Sequence, residues 1–316
     1  MAVNADKPLQ WKTDITESVD FFNEWFLRFA PATYRESRAE ATEQVSTALS
    51  RTTNMTKITT AVLRQDPSIL PMLRMATAPP IARDRPIGLA GVSTNLVKSM
   101  ELNNRIPPKM DQTIVDADLE KIGEMIRQLA DEDIFPWLGT DRDPVRRDVR
   151  RAATIVADRL CGSQADPIIR NAQEQRQLTT IGAWLRNRGY SQQSGISIDS
   201  LQNGQFAFRV NVPVHRQGGG QVNIPVDIVV EPQNGGHGEL PLLIEAKSAG
   251  DFTNTNKRRK EEAQKVRQLR STYGENVKYV LFLCGYFGSE YLGYEAAEGI
   301  DWVWEHRPDD LQQFGL

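Results

Sequence analysis

The chain has 316 residues, of which 40% are hydrophobic and 25% are charged. This composition is typical of a globular protein in water, and the length suffices for one large domain or two ordinary ones. No apolar run approaches the roughly 20 residues that span a bilayer, and the first residues lack the apolar core of a secretion signal. With only two cysteines, Cys161 and Cys284, no disulfide framework is expected, which indicates a cytoplasmic protein without membrane attachment.

Charge and motif content exclude several function classes. The net charge is −3, so any binding of nucleic acid requires local clusters of Lys and Arg, not a basic total. The three histidines, His215, His237 and His306, have no zinc-ligand spacing. No Walker-type phosphate loop is present, which argues against an ATP-driven enzyme.

The first half of the chain predicts helices. The first begins at the capping-box-like Asp14-Ile-Thr-Glu17 and ends at Pro31. Further helical periodicity covers 35–50, 56–65, 116–130 and 144–161. We therefore expect a mostly helical region over 1–160, with a role in DNA recognition or dimerisation, and a second domain over 161–316.

A segment rich in Pro and Gly interrupts these helices at 76–108. It carries Arg83, Arg85, Asn95 and Lys98, and Arg and Asn are side chains that pair with guanine and adenine edges. A role in base recognition is one interpretation. The other is an ordinary connection between helices with solvated side chains.

The second half predicts one particular order of elements. A helix over 165–189 has Pro167 in its first turn and Gly189 at its end. Four strands follow, over 195–201, 205–214, 222–230 and 240–247, then a charged helix over 257–273 and an apolar strand over 278–284. The predicted fold class is α/β (α+β), with a helical amino-terminal region and a mixed central sheet flanked by helices.

Three charged residues lie on two consecutive strands of that sheet. Glu245 and Lys247 are two residues apart, so both point to one face. Asp227 falls on the face opposite to the apolar residues that alternate along 222–230. Two carboxylates and an ammonium can hold a hard divalent cation beside a polarised water. The simpler alternative is a solvated Asp and a chance Glu-x-Lys.

These residues and the order of elements resemble the PD-(D/E)xK nuclease core, with a Val inserted between Pro225 and Asp227. The resemblance implies that Asp227, Glu245 and the carbonyl of Ala246 bind Mg²⁺, and that Lys247 orients or helps deprotonate the attacking water.

Two further site assignments follow from position relative to this core. Glu174, on the preceding helix, is a candidate additional acid, or else a surface residue. The basic run of Lys257, Arg258, Arg259 and Lys260 opens the helix after Lys247, where we expect contact with DNA.

More narrowly, the stretches 78–85 and 244–257 resemble the XamI-type restriction endonucleases. That resemblance implies magnesium-dependent double-strand cleavage of DNA at a short palindrome, GTCGAC, by a two-fold homodimer. It also implies a partner methyltransferase that acts on the same site in the host.

Two alternatives stay open at this stage. One is a structure-selective DNA repair nuclease or junction resolvase with the same core. The other is a catalytically inactive, DNA-binding regulatory protein.

Overall fold

The computed structural model describes residues 2–140, 142–215, 219–235, 240–253 and 255–316, without the side chains of 255–259. Two compact units are present, one formed by 1–29 and 170–316 and the other by 30–169. We call them the sheet unit and the helical unit. Within the described residues, no helix is long and apolar enough to cross a bilayer.

The α-helices are α1 Pro8–Arg51, α2 Thr60–Gln65, α3 Leu70–Met75, α4 Arg85–Ala90, α5 Thr94–Asn103, α6 Gln112–Leu129, α7 Arg146–Arg186, α8 Thr255–Tyr273 and α9 Ser289–Ala297. The strands are β1 Ser191–Gln193, β2 Gln205–His215, β3 Gln221–Val230, β4 Leu242–Ala249, β5 Tyr279–Gly285 and β6 Asp301–Trp304. The predicted α/β class, with a helical amino-terminal region and a mixed sheet, is confirmed.

The helical unit is built on amphipathic helices, of which α6 is the clearest. The side chain of Asp111 caps its start by accepting from the backbone N–H of Thr113 at 2.8 Å. Val115, Leu119, Ile122 and Ile126 then recur at helical spacing and are fully buried. This stripe forms part of one continuous apolar core in the unit.

The predicted end of the first helix at Pro31 and the predicted start of a helix near Pro167 are both wrong, because each proline lies inside a longer helix. Pro31 is internal to α1, and Pro167 is internal to α7. An internal proline removes one backbone hydrogen bond and costs about 3 kcal/mol. Buried residues on both sides of each proline offset that cost, since tertiary packing supplies most helix stability.

The division between the units differs from the predicted 1–160 and 161–316. The first 29 residues belong to the sheet unit, and the later boundary falls at 169/170, inside α7. Both boundaries lie within continuous helices, so no change in composition marks them in the sequence.

The sheet has the order β1-β2-β3-β4-β5-β6. β2, β3 and β4 are antiparallel neighbours, whereas β4, β5 and β6 run parallel. Parallel neighbours need crossover connections, and α8 and α9 supply them. α7 packs on one face, while α8, α9 and the start of α1 pack on the other.

The strand predicted over 195–201 is wrong. A short β1 precedes it, and Ile198–Ser200 form a 3₁₀ turn in which the Ser200 N–H donates to the Ser197 carbonyl at 3.1 Å. Conversely, β6 was not predicted. It has four residues, and Trp302, Val303 and Trp304 are all buried, so no polar–apolar alternation marks it.

The prediction that the apolar residues of 222–230 share one face is also wrong. Ile224 and Val226 belong to the core under α8, whereas Ile228 and Val230 belong to the core under α7. The strand therefore changes faces between Val226 and Ile228, at Asp227.

The cause of this change of faces in β3 is a distortion of the neighbouring strand, β2. The ladder between β2 and β3 is regular on both sides of Arg209 and Asp227 but does not pair these two residues. Arg209 has a left-handed backbone with φ 53°. This local distortion turns the strand pair at Asp227, whose side chain is partly buried.

Candidate active site

Asp227 lies at a fork between two strands. β3 pairs with β4 only from Ile228 to Val230, so Asp227 is the residue at which the strands separate. Its Oδ2 accepts a hydrogen bond from the backbone N–H of Ala246 at 2.9 Å. The carboxylate thus replaces the main-chain partner that Ala246 would otherwise find on β3.

Glu245 and Lys247 flank Ala246 on the face of β4 that α8 covers. The Nζ of Lys247 donates to Oε1 of Glu245 at 2.9 Å. Glu245 is 4% exposed, and a carboxylate buried this deeply requires charged or hydrogen-bonding partners. Ala246 therefore contacts Asp227 through its backbone N–H, while the side chains of Glu245 and Lys247 carry the charges on the face of β4 that α8 covers.

Helix α8 supplies two further charged residues that the sequence interpretation missed. The Nζ of Lys247 lies 2.9 Å from Oε1 of Glu262, and the Nζ of Lys265 lies 2.6 Å from Oε1 of Glu245. The Tyr279 hydroxyl donates to Oε2 of Glu262. We call Asp227, Glu245, Lys247, Glu262 and Lys265 the β4 cluster.

A signal for Glu262 exists in the sequence. Glu262 lies four residues before Val266 and seven before Leu269, both buried against the sheet. A carboxylate on the apolar stripe of a helix is a candidate for a buried ion pair. Recognising its partner requires knowing which strand the helix covers.

Burial and neighbouring charges shift the pKa values of the Asp227 carboxyl and the Lys247 ammonium. Burial and the charge of Glu245 raise the pKa of Asp227 to about 6, against the Ala246 hydrogen bond and Lys247. Burial acts to lower the pKa of Lys247, but Glu245 and Glu262 raise it further, so it ends above its usual value. The Lys247 side chain is therefore an ammonium throughout the physiological pH range.

Glu245 has one oxygen without a hydrogen-bonding partner in the part of the chain that the structure describes. Its Oε2 is buried and has no hydrogen-bond partner among the described residues. An unsatisfied buried carboxylate oxygen costs free energy unless a cation or water meets it. Together with the nearby carboxylate of Asp227, it makes this edge of β4 suitable for a hard divalent ion.

Gln177 of α7 fixes the backbone of the same strand from the other face. It is 1% exposed, and its Nε2 donates to the carbonyls of Lys247 and Phe282, each at 3.1 Å. The contact joins β4 and β5 through the carbonyls of Lys247 and Phe282. This residue was also missed, because a Gln in a polar helix gives no sequence signal.

Glu174, the predicted additional acid, lies three residues earlier on α7. Its side chain is 42% exposed, and its Oε1 accepts from the Arg209 guanidinium at 2.9 Å. Its negative charge contributes to the raised pKa of Asp227. Glu174 is thus electrostatically coupled to the candidate site through space and bound to Arg209.

The residues predicted to contact DNA fall into two groups. Lys260 is exposed on α8, while the side chains of Lys257, Arg258 and Arg259 lie outside the described residues, as does His237. In the helical unit, all four candidates are exposed, at the start of α4, in the segment before it and on α5. These are Arg83, Arg85, Asn95 and Lys98.

The fold is of the predicted α/β class, and Asp227, Glu245 and Lys247 lie close together on two adjacent strands of its sheet. The chain belongs to the XamI restriction endonuclease family, whose model matches residues 53–304. It is 51% identical over 316 residues to the Type II restriction enzyme SalI from Streptomyces albus G, which covers 99% of each chain. No solved structure matches the chain.

Membership of this family decides among the alternatives left open by the sequence. The restriction endonuclease interpretation is confirmed, and the repair nuclease and the inactive regulatory protein are not needed to explain the chain. The protein is a nuclease that acts on DNA at specific sites.

Proposed function

We propose that the protein is a magnesium-dependent Type II restriction endonuclease that cuts both strands of DNA at GTCGAC as a two-fold homodimer. The observation that carries the catalytic part of this proposal is the hydrogen bond from the Ala246 N–H to Asp227, directly beside Glu245 and Lys247. It brings residues of two strands to one edge of the sheet.

The donor set suits magnesium. Asp227 and Glu245 would hold the ion through carboxylate oxygens, and the buried, unpartnered Oε2 of Glu245 supports this assignment. The N–H and C=O of one strand residue face the same neighbouring strand, so the Ala246 carbonyl faces the fork as its N–H does. When bound, Mg²⁺ supplies charge stabilisation at the phosphoryl oxygens and lowers the pKa of a water.

Lys247 acts as a cation and hydrogen-bond donor, not as a proton acceptor. Its raised pKa keeps the ammonium charged, so it can orient the attacking water and stabilise negative charge on the phosphate. Glu245 and Glu262 hold Nζ from two sides at 2.9 Å each. The ammonium is thus oriented before substrate arrives.

The target and the partners follow from the relative and from symmetry. The 51% identity with SalI over nearly the whole chain supports a Type II enzyme, and the resemblance to its family supports GTCGAC. A palindromic site matches a two-fold homodimer. A methyltransferase acting on the same sequence would protect the host genome, in the cytoplasm where both enzymes meet DNA.

A plasmid with a single GTCGAC tests the proposal. We expect full-length protein to convert it to one linear product with Mg²⁺ and to leave it intact with EDTA. The matched control is the same plasmid with one base pair of the site changed, which should stay uncut. Sequencing of the ends gives the cut position.

Two outcomes would contradict the proposal separately. Discrete cutting at another sequence would reject GTCGAC but keep the enzyme class. Cutting that persists in EDTA would reject the magnesium site at Asp227 and Glu245.

A further inference from the structure

Arg209 has a backbone conformation that its position in a strand does not explain. It lies inside β2, where φ is normally near −120° or below, yet its φ is 53°. Non-glycine residues adopt this conformation at a cost and persist in it where the surrounding structure holds them. Such residues cluster at functional sites.

The distortion is directed at the candidate active site. Arg209 is opposite Asp227 in the ladder of β2 and β3, at the position that is left unpaired. Val210 and Val212 beyond it are buried in the core under α8, whereas the Arg209 side chain is 64% exposed. The unusual backbone thus directs a guanidinium out of the sheet beside Asp227.

Glu174 gives this guanidinium its contact in the free protein. The Nη2 of Arg209 donates to Oε1 of Glu174 at 2.9 Å, and both side chains are substantially exposed. An exposed ion pair contributes little to stability because water solvates both partners. The carboxylate can therefore be exchanged for another anion at low cost.

We propose that Arg209 is a phosphate-binding residue, which exchanges Glu174 for a DNA backbone phosphate at or next to the bond that is cut. A guanidinium binds phosphate through two parallel N–H···O bonds, which fixes orientation as well as charge. The inference rests on the proposed nuclease function, since it takes the phosphate to be held at the edge that Asp227 and Glu245 form. Glu174 then serves as the resting partner of Arg209.

The test measures binding of full-length protein to a labelled duplex containing GTCGAC, in EDTA, over a range of salt concentrations. Each phosphate contact contributes about 0.9 to the slope of log Kobs against log salt. We expect Arg209→Asn to reduce the slope by about 0.9, and Arg209→Lys to keep it. Asn suits the test because it tolerates the left-handed conformation.

Arg188→Gln is the matched control. Arg188 also donates to an exposed carboxylate, Asp309, at 2.7 Å. Its carbonyl accepts from Nε2 of Gln233, which lies three residues beyond the end of β3. We expect the wild-type salt slope for this variant.

Cleavage and stability separate a phosphate contact from a structural role. We expect Arg209→Asn to melt at or above the wild-type temperature, and its cleavage rate to fall at least tenfold while Arg209→Lys recovers part of the loss. Glu174→Gln should bind duplex as tightly as the wild type or more tightly, because it frees the guanidinium.

A wild-type slope and rate for Arg209→Asn would overturn the inference, and so would weaker binding by Glu174→Gln. Neither result affects the proposed function, which fails only if the wild-type protein cuts without magnesium or at no defined site. If Arg209→Asn does not fold, the Lys and Gln variants still decide the question.

Discussion

Two clusters of charged side chains in the sheet unit differ in whether a buried oxygen is left without a described partner. The first is the β4 cluster. The second, which we call the terminal clamp, consists of Asn4, Asp14, Arg307 and Asp310. In the clamp, all three guanidinium nitrogens of Arg307 donate hydrogen bonds. Nη1 donates to Asp14 and Nε donates to Asp310, each at 2.8 Å. The β4 cluster instead keeps one buried oxygen of Glu245 without a described partner.

The clamp also makes a metal site at the neighbouring residues unfavourable. Asp14, Glu17 and His306 have ligand atoms within 4.8 Å of one another. Both oxygens of Asp14 are already bound to Arg307, whose positive charge opposes a cation there. Burial, which opposes charge, lowers the pKa of His306. A closed cluster stabilises the fold, whereas an open one retains capacity for a ligand.

The largest expected effect breaks the open cluster. Asp227→Asn removes a proposed magnesium ligand but keeps the hydrogen-bond acceptor for the Ala246 N–H. We expect the cleavage rate to fall roughly 10²-fold or more while duplex binding in EDTA is retained. Initial rates on the single-site plasmid measure the change. Glu245→Gln should have a similar effect, and the double variant should lose little more, because the two carboxylates act as one unit.

The clamp responds in the opposite way. Arg307→Met leaves the buried carboxylate of Asp14 without its charged partner, and breaking a buried pair costs about 3–5 kcal/mol. Since Arg307 is itself about one-third exposed, we expect a loss of ~2–3 kcal/mol in the free energy of unfolding, measured with urea. The folded variant should cleave DNA at the wild-type rate. Adding Asp14→Asn should restore part of the stability, and a further loss would contradict the account.

The open cluster should destabilise the fold at neutral pH. The pKa of Asp227 is raised from 3.8 to about 6, so the folded state binds this proton more tightly than the unfolded state. The carboxylate therefore costs almost nothing below pH 3.8, and its cost grows between the unfolded pKa of 3.8 and the folded pKa of about 6 and is fully present above it. At 1.36 kcal/mol per pKa unit, the full cost is about 3 kcal/mol, and partial exposure reduces it to ~2.

Asp227→Asn tests this sign directly. In EDTA at pH 8, we expect the variant to be more stable than the wild type, and the difference in unfolding free energy should vanish towards pH 4. A variant that is less stable at pH 8 would contradict the raised pKa. Magnesium should reverse the order at pH 8, because it stabilises only the protein that binds it.

A smaller effect comes from the residue that orients the lysine. In Glu262→Gln, an amide oxygen replaces one of the two carboxylates that contact Lys247. We expect roughly tenfold slower cleavage, since a neutral acceptor holds the ammonium less firmly than a charged one. The KM for plasmid should stay unchanged, because Glu262 is 1% exposed and does not face DNA. Wild-type cleavage in this variant would limit Glu262 to a structural role.

The contrast also indicates which features the sequence could predict. Glu245 and Lys247 are two residues apart on a strand, so local periodicity sufficed to assign them to one face. The positions of β2, β3 and β4 along the chain were predictable for the same reason, from their apolar runs and the turns between them. Local patterns determine these features without reference to the rest of the chain.

What could not be predicted depends on contacts distant in sequence. Glu262 joins Lys247 only because α8 crosses over β4 and packs on its face. Asp14 meets Arg307 across 293 positions of the chain. The left-handed conformation of Arg209 breaks a strand whose alternation is regular in sequence. In each case tertiary structure overrides the local preference.

The smallest expected effect tests whether burial or distance determines how much an ion pair contributes to the free energy of unfolding. Arg28 and Glu24 lie one turn apart on α1 and are 2.7 Å apart, slightly closer than Arg307 and Asp14 at 2.8 Å. Both are more than two-thirds exposed, so water solvates the charges before and after the pair breaks. We expect Arg28→Ala to change the free energy of unfolding by less than about 0.5 kcal/mol. A loss as large as that of Arg307→Met would mean that distance, not burial, determines the contribution of an ion pair in this unit.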